Sequence, residues 1–99
     1  MVLGKGLGID DLLLPLRKEI LALATKFGAR NVRVFGSVRR KEARPDSDVD
    51  LLVDWARGSN RLHLEGVLSS LLQREVDVVS PDCLRWYAAP AILAESVPL

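Results

Sequence analysis

Several common building materials are scarce in this chain. It has one cysteine, Cys83, among 99 residues. A lone thiol closes no internal disulfide and makes no metal cluster, and such sparing use suits a reducing cytoplasm. Aromatic residues are 5% and the formal net charge is +1. That combination argues against a surface built to bind nucleic acid directly. No run approaches the ~18 consecutive apolar residues of a membrane span. The opening stretch from Met1 to Gly8 has three glycines, no long apolar core and no small-residue cleavage site. It does not read as a signal peptide. The expectation is a soluble, cytoplasmic protein without membrane contact.

Hydrophobic residues make up 48% of the chain, which implies an ordered globule. The length suggests one domain over 1–99, with 1–8 as a loose tail. Leu12, Leu16, Ile20, Leu23 and Phe27 recur at helical steps. They predict a first helix capped by Asp10 or Asp11, with Pro15 in its opening turn and Gly28 ending it. Val32 to Phe35 reads as a strand, Val38 to Arg44 as a short basic helix, and Pro45-Asp46-Ser47 as a turn. A second strand is expected over Asp48 to Val53. A helix follows from Arg61 to Gln73, capped by Asn60, with Leu64, Val67, Leu68 and Leu71 inward. Glu75 to Val79 is a third strand. Pro90 divides the remaining helical tail into two short pieces. This order implies an α/β (α+β) fold: a small mixed sheet of three or four strands covered by helices.

The chemistry resides in Gly36-Ser37, followed ten residues later by Asp48-Val49-Asp50, and in Asp77 among apolar strand residues. Alternation along a strand points Asp48 and Asp50 to one face, with Cα atoms roughly 6.6 Å apart. Two carboxylates so placed suit hard cations such as Mg²⁺, one or two of which clamp the oxygens of a phosphoryl displacement. Gly36 has no Cβ and lets a phosphate approach the backbone. Ser37 offers a hydroxyl, and Arg39, Arg40, Lys41 and Arg44 offer local positive charge facing a triphosphate. If the second and third strands are neighbours, Asp77 joins the pair. There it would bind a metal or take a proton from an acceptor hydroxyl. Asp46, Asp54 and His63 read as solvated or turn residues. Cys83 reads as a small buried residue. Trp55, Trp86 and Tyr87 read as packing, the last two alternatively as a partner surface.

The segment GSVRRKEARPDSDVDLLV, from Gly36 to Val53, resembles the signature of the minimal nucleotidyltransferases of the DNA polymerase β superfamily. The similarity extends to EVDVVSPDCL and to the tail AILAESVPL. The resemblance implies that Asp48, Asp50 and Asp77 bind magnesium and that Gly36, Ser37 and Arg40 contact the nucleotide phosphates. It further implies an antitoxin that moves AMP from ATP to a tyrosine of a partner HEPN-domain RNase toxin. Lys41 departs from the pattern, since similar proteins often carry glycine there. Two other functions fit the residues. The protein could neutralise a toxin by binding alone, through its apolar, aromatic tail. It could instead transfer a nucleotide to a small molecule such as an antibiotic, against which the absence of a substrate-gripping domain counts.

Overall fold

The computed structural model describes residues 6–56 and 60–99. Its centre is a four-stranded mixed sheet in the order β3-β2-β1-β4. Strand β1 is Ala29–Phe35, β2 is Val49–Trp55, β3 is Val76–Val79 and β4 is Val97–Pro98. β1 runs antiparallel to β2 and to β4, whereas β2 and β3 are parallel. The parallel pair is joined through helix α4, Arg61–Leu72, because parallel strands need a crossover connection.

One face of the sheet is apolar. Val34, Val49, Leu51, Val53, Val76 and Val78 meet Ile20, Ala24, Leu64 and Leu68 of the covering helices. The expected alternation therefore holds, and β2 puts its odd-numbered residues into the core. The first helical region is less simple than its periodicity suggests. It is a turn of helix α1, Ile9–Leu12, then a 3-10 turn at Leu14–Leu16, then α2, Arg17–Lys26. Pro15 supplies no amide and enforces this division. The break turns Leu13 fully inward while Leu12 is only partly buried. Gly28 ends the region at φ +85°, as expected of a left-handed cap.

Both sheet edges are closed by side chains the periodicity did not single out. β3 is an edge strand whose outward amides need partners. Ser69 Oγ accepts from Val76 N–H at 3.1 Å, and Glu65 Oε2 accepts from Val78 N–H at 2.7 Å. Ser69 and Glu65 lie four residues apart on one stripe of α4. The opposite edge, β4, ends in Pro98, which has no amide to offer. Gly6 to Gly8, expected in a loose tail, are held instead: Leu7 and Ala43 form a bridge with N–H···O distances of 2.7 and 3.1 Å. Met1 to Lys5 of that tail lie outside the described residues, as do Gly58 and Ser59 of the chain break that Gly58-Ser59-Asn60 predicts from sequence. The tail is a 3-10 turn, Pro81–Cys83, followed by α5, Ala89–Glu95, where Pro90 starts the helix rather than interrupting it. Among the described residues no helix is long and apolar enough to cross a membrane.

Candidate active site

The parallel register of β2 and β3 sets Asp50 beside Asp77. Register partners on adjacent strands share a face, so both carboxylates stand opposite the core. Asp48 lies one residue ahead of β2 and is exposed. On this face Leu52, fully buried, is the next residue inward from Asp50 along β2. Burial of a carboxyl disfavours its charged form. Accordingly the Asp50 carboxyl is pushed up to about 6 by its burial first, then by the nearby charges of Asp77 and Asp48, with Arg40 pulling the other way. Asp77 is also raised, by burial and then by Asp48 and Glu65, against the opposing charge of Arg61. Among the described residues no three such side chains are arranged as a ready metal cage. The three carboxylates are electrostatic neighbours on one face, and the arrangement is open.

Beside them β1 ends, with Phe35 in register with Asp50. Gly36 follows at φ +77°, and a Cβ there would fall on the Asp50 carboxylate. Glycine is thus required twice at this position, for the backbone conformation and for the close approach of Asp50. The short helix α3 is Gly36–Arg39, not Val38 to Arg44 as expected, and Ser37 is its second residue. The chain leaves it through Lys41 at φ +59°. A left-handed conformation there is one that glycine adopts without steric cost. The helix stops early because Ala43 is needed in the bridge to Leu7.

Arg40, expected to face the nucleotide phosphates, is close enough to influence Asp50, and it is not an unengaged cation. Its Nη1 donates to Glu95 Oε1 at 2.6 Å and its Nε lies 3.4 Å from Glu42. The Gly36 N–H, expected to be open to a phosphate, donates to Glu95 Oε2 at 3.0 Å. Sequence reasoning missed Glu95. A signal was present, because it is the sole charged residue after Arg85.

The remaining candidates separate cleanly. Asp54 shares the strand face but is bonded to Asn31 and Arg33, at 2.9 and 3.1 Å, and is not merely solvated. Asp46 is an exposed turn residue and His63 is exposed, as expected. Cys83 is exposed, not buried, because the 3-10 turn carries it outward. Trp86 and Tyr87 are 86% and 63% exposed, touching each other edge to face. They are not core packing.

Residues 16–98 match the nucleotidyltransferase domain family. The protein adenylyltransferase MntA of Thermococcus cleftensis is 40% identical over 92 residues, covering 90% of each chain. A solved structure described as a minimal nucleotidyltransferase superposes with a TM-score of 0.79 at 40% identity, covering 96% of this chain and 99% of that one. A toxin–antitoxin crystal structure with AMP-PNP shares the fold, with a TM-score of 0.71 at 22% identity, over 82% of this chain and 69% of its counterpart.

Proposed function

The chain belongs to the nucleotidyltransferase domain family, and from that premise we propose that it transfers AMP from ATP to a tyrosine hydroxyl of a HEPN-type RNase toxin, as a cytoplasmic antitoxin. The observation that carries this reading is the in-register pair Asp50 and Asp77, with Asp48 nearby and the Gly36 backbone against Asp50. The toxin partner is supported by the toxin–antitoxin assembly that shares the fold.

Magnesium fits the donor set. All three groups are hard oxygen ligands, and their mutual repulsion is what a cation relieves. Magnesium commonly takes one or two carboxylates and completes its shell with water and substrate phosphates, so an open arrangement suffices. Asp48, Asp50 and Asp77 would hold it, and when bound it neutralises charge developing on the phosphates. Ser37 and Arg40 hold the phosphate oxygens, with the Gly36 backbone as their close wall. Asp77 either completes the metal's shell on the acceptor side or orients the acceptor and takes its proton. The acceptor oxygen bonds to the α-phosphorus, and pyrophosphate leaves.

The test is incubation with α-labelled ATP, Mg²⁺ and the purified toxin. Label is expected on the toxin, absent with Asp50→Asn and absent when the acceptor tyrosine is phenylalanine. An unlabelled toxin beside a folded protein that binds ATP would rule the transfer out. A second reading, neutralisation by binding alone, is favoured by the exposed Trp86 and Tyr87. It predicts that Asp48→Asn with Asp50→Asn still silences the toxin at equal concentration.

A further inference from the structure

We infer that Glu95 is a positioning residue for the phosphate-binding turn: its carboxylate fastens the Gly36 amide to the Arg40 guanidinium and thereby presents Arg40 to the nucleotide. This rests on the proposed role of Gly36, Ser37 and Arg40 in holding phosphates.

The two oxygens of one carboxylate serve two donors. Oε2 takes the Gly36 N–H at 3.0 Å and Oε1 takes Arg40 Nη1 at 2.6 Å. These donors bracket α3, one on its first residue and one just past its last. The Glu95 carbonyl also accepts from Arg39 Nε at 2.9 Å. The terminus of α5 therefore grips α3 at three points. Glu95 is itself anchored, because two residues later Val97 pairs with Val34 in the sheet and Leu99 N–H bonds to the Val32 carbonyl at 2.9 Å. The brace thus ties the turn to the strand that ends at Asp50's neighbour, Phe35.

An arginine has among the largest rotamer freedom of any side chain, and a site gains from having that freedom removed beforehand. Here Nη1 is engaged by Glu95 and Nε more loosely by Glu42. Among the described residues no bond engages Nη2. The guanidinium also acts on Asp50, lowering the carboxyl's affinity for protons. The clamped arginine is thus held within electrostatic reach of the acidic face. The bonds from Gly36 and Arg40 outweigh the burial of Glu95 and hold its carboxyl below the usual range, so the brace is ionised at neutral pH.

The contrary possibility is that Glu95 competes with phosphate for the same donors. The two differ in sign. A competitor's removal tightens nucleotide binding, and a positioning residue's removal weakens it. The experiment is calorimetric titration of the full chain with ATP and Mg²⁺, alongside a thermal melt. Glu95→Gln cannot accept at both ends, and it is expected to weaken ATP binding roughly tenfold, as loss of a charge-assisted bond does. Glu42→Gln, which loosens only the longer contact, is expected to change it less than about twofold. Added to Arg40→Ala, Glu95→Gln should cost less than about twofold more, since it acts through that arginine. A merely structural role would lower the melting temperature and leave the folded protein's affinity unchanged.

Unchanged or tighter binding by folded Glu95→Gln overturns the inference. Should that variant not fold, Glu95→Asp, which keeps the charge on a shorter arm, is read in the same titration, and wild-type affinity there overturns it equally. If wild-type protein binds no ATP, the nucleotide reading itself falls and takes this with it. If Ser37→Ala weakens ATP binding but neither Glu95 variant does, only the positioning role falls.

Discussion

The ends of β2 and β3 and the turn after β1 lie side by side, yet they carry charge in opposite ways. Around the turn, Arg40 and Arg39 reach Glu95, and every contact joins unlike charges or a donor to an acceptor. On the strands, Asp48, Asp50 and Asp77 confront one another, and among the described residues no hydrogen bond or ion pair engages them. The turn is complete as it stands. The acidic face is under tension, and a cation from outside would relieve it. Neighbouring regions of one fold thus divide the work: one spends stability on chemistry, and the other supplies a rigid wall for it.

The largest effect should come from removing the tension altogether. Asp50→Asn is expected to lower transfer to the toxin at least about a hundredfold, read as single-turnover label with ATP and Mg²⁺. Activity near wild type would mean that the acidic face is not the reacting centre.

Second in size is Gly36→Ala, at the seam between the two regions. The new methyl meets the Asp50 carboxylate and φ is positive, so a loss of about 2–3 kcal/mol is expected in chemical denaturation. Combined with Asp50→Ala, which removes the carboxylate and leaves only a Cβ at 3.3 Å, the penalty should shrink towards the backbone strain of ~1 kcal/mol. Strict additivity would show that the contact is not the cause.

The two regions should also respond to pH with opposite signs. Asp50 titrates near 6 when folded, above its ordinary value, so the fold binds that proton more tightly than the unfolded chain. The resulting stability is present at low pH and lost as pH rises through this window. Asp50→Asn should therefore be more stable than wild type above pH 6, by about 1–2 kcal/mol after discounting for partial exposure, and the gap should close on acidification. Mg²⁺ should narrow it from the other side by stabilising wild type. Glu95 is depressed, so its contribution is present above the usual carboxylate range and lost as pH falls. Glu95→Gln should be less stable at neutral pH by ~1 kcal/mol or less. Melts across pH 3–8 compare the two, and a common sign would erase the distinction.

The acidic face was far more legible in sequence than the brace. Alternation alone puts Asp48 and Asp50 on one side of a strand, and a lone aspartate in Val76-Asp77-Val78-Val79 has few structural excuses. Only the adjacency of the strands had to be assumed. The brace depends on contacts across 59 and 55 residues, between a tail glutamate and the Gly36 to Arg40 turn. No local period reports such a pairing. β4 was invisible for a related reason: two residues, one of them proline, carry no strand pattern. β1 begins three residues earlier than its β-branched run, since Asn31 at φ +53° and an irregularity in register disguise its start.

The smallest expected effect concerns Lys41, just beyond the brace. Its φ of +59° costs a side-chain-bearing residue about 1 kcal/mol relative to glycine. Glycine, however, also gains more freedom in the unfolded chain, which offsets part of that. Lys41→Gly should accordingly raise stability by no more than ~0.5–1 kcal/mol. It should weaken ATP binding by no more than about twofold, through the surface charge removed, because the turn is held by Glu95 on one side and by the Leu7 bridge to Ala43 on the other. A marked gain in affinity would instead show that strain at Lys41 holds Arg40 away from its best position, and that the turn is less complete than its bonds suggest.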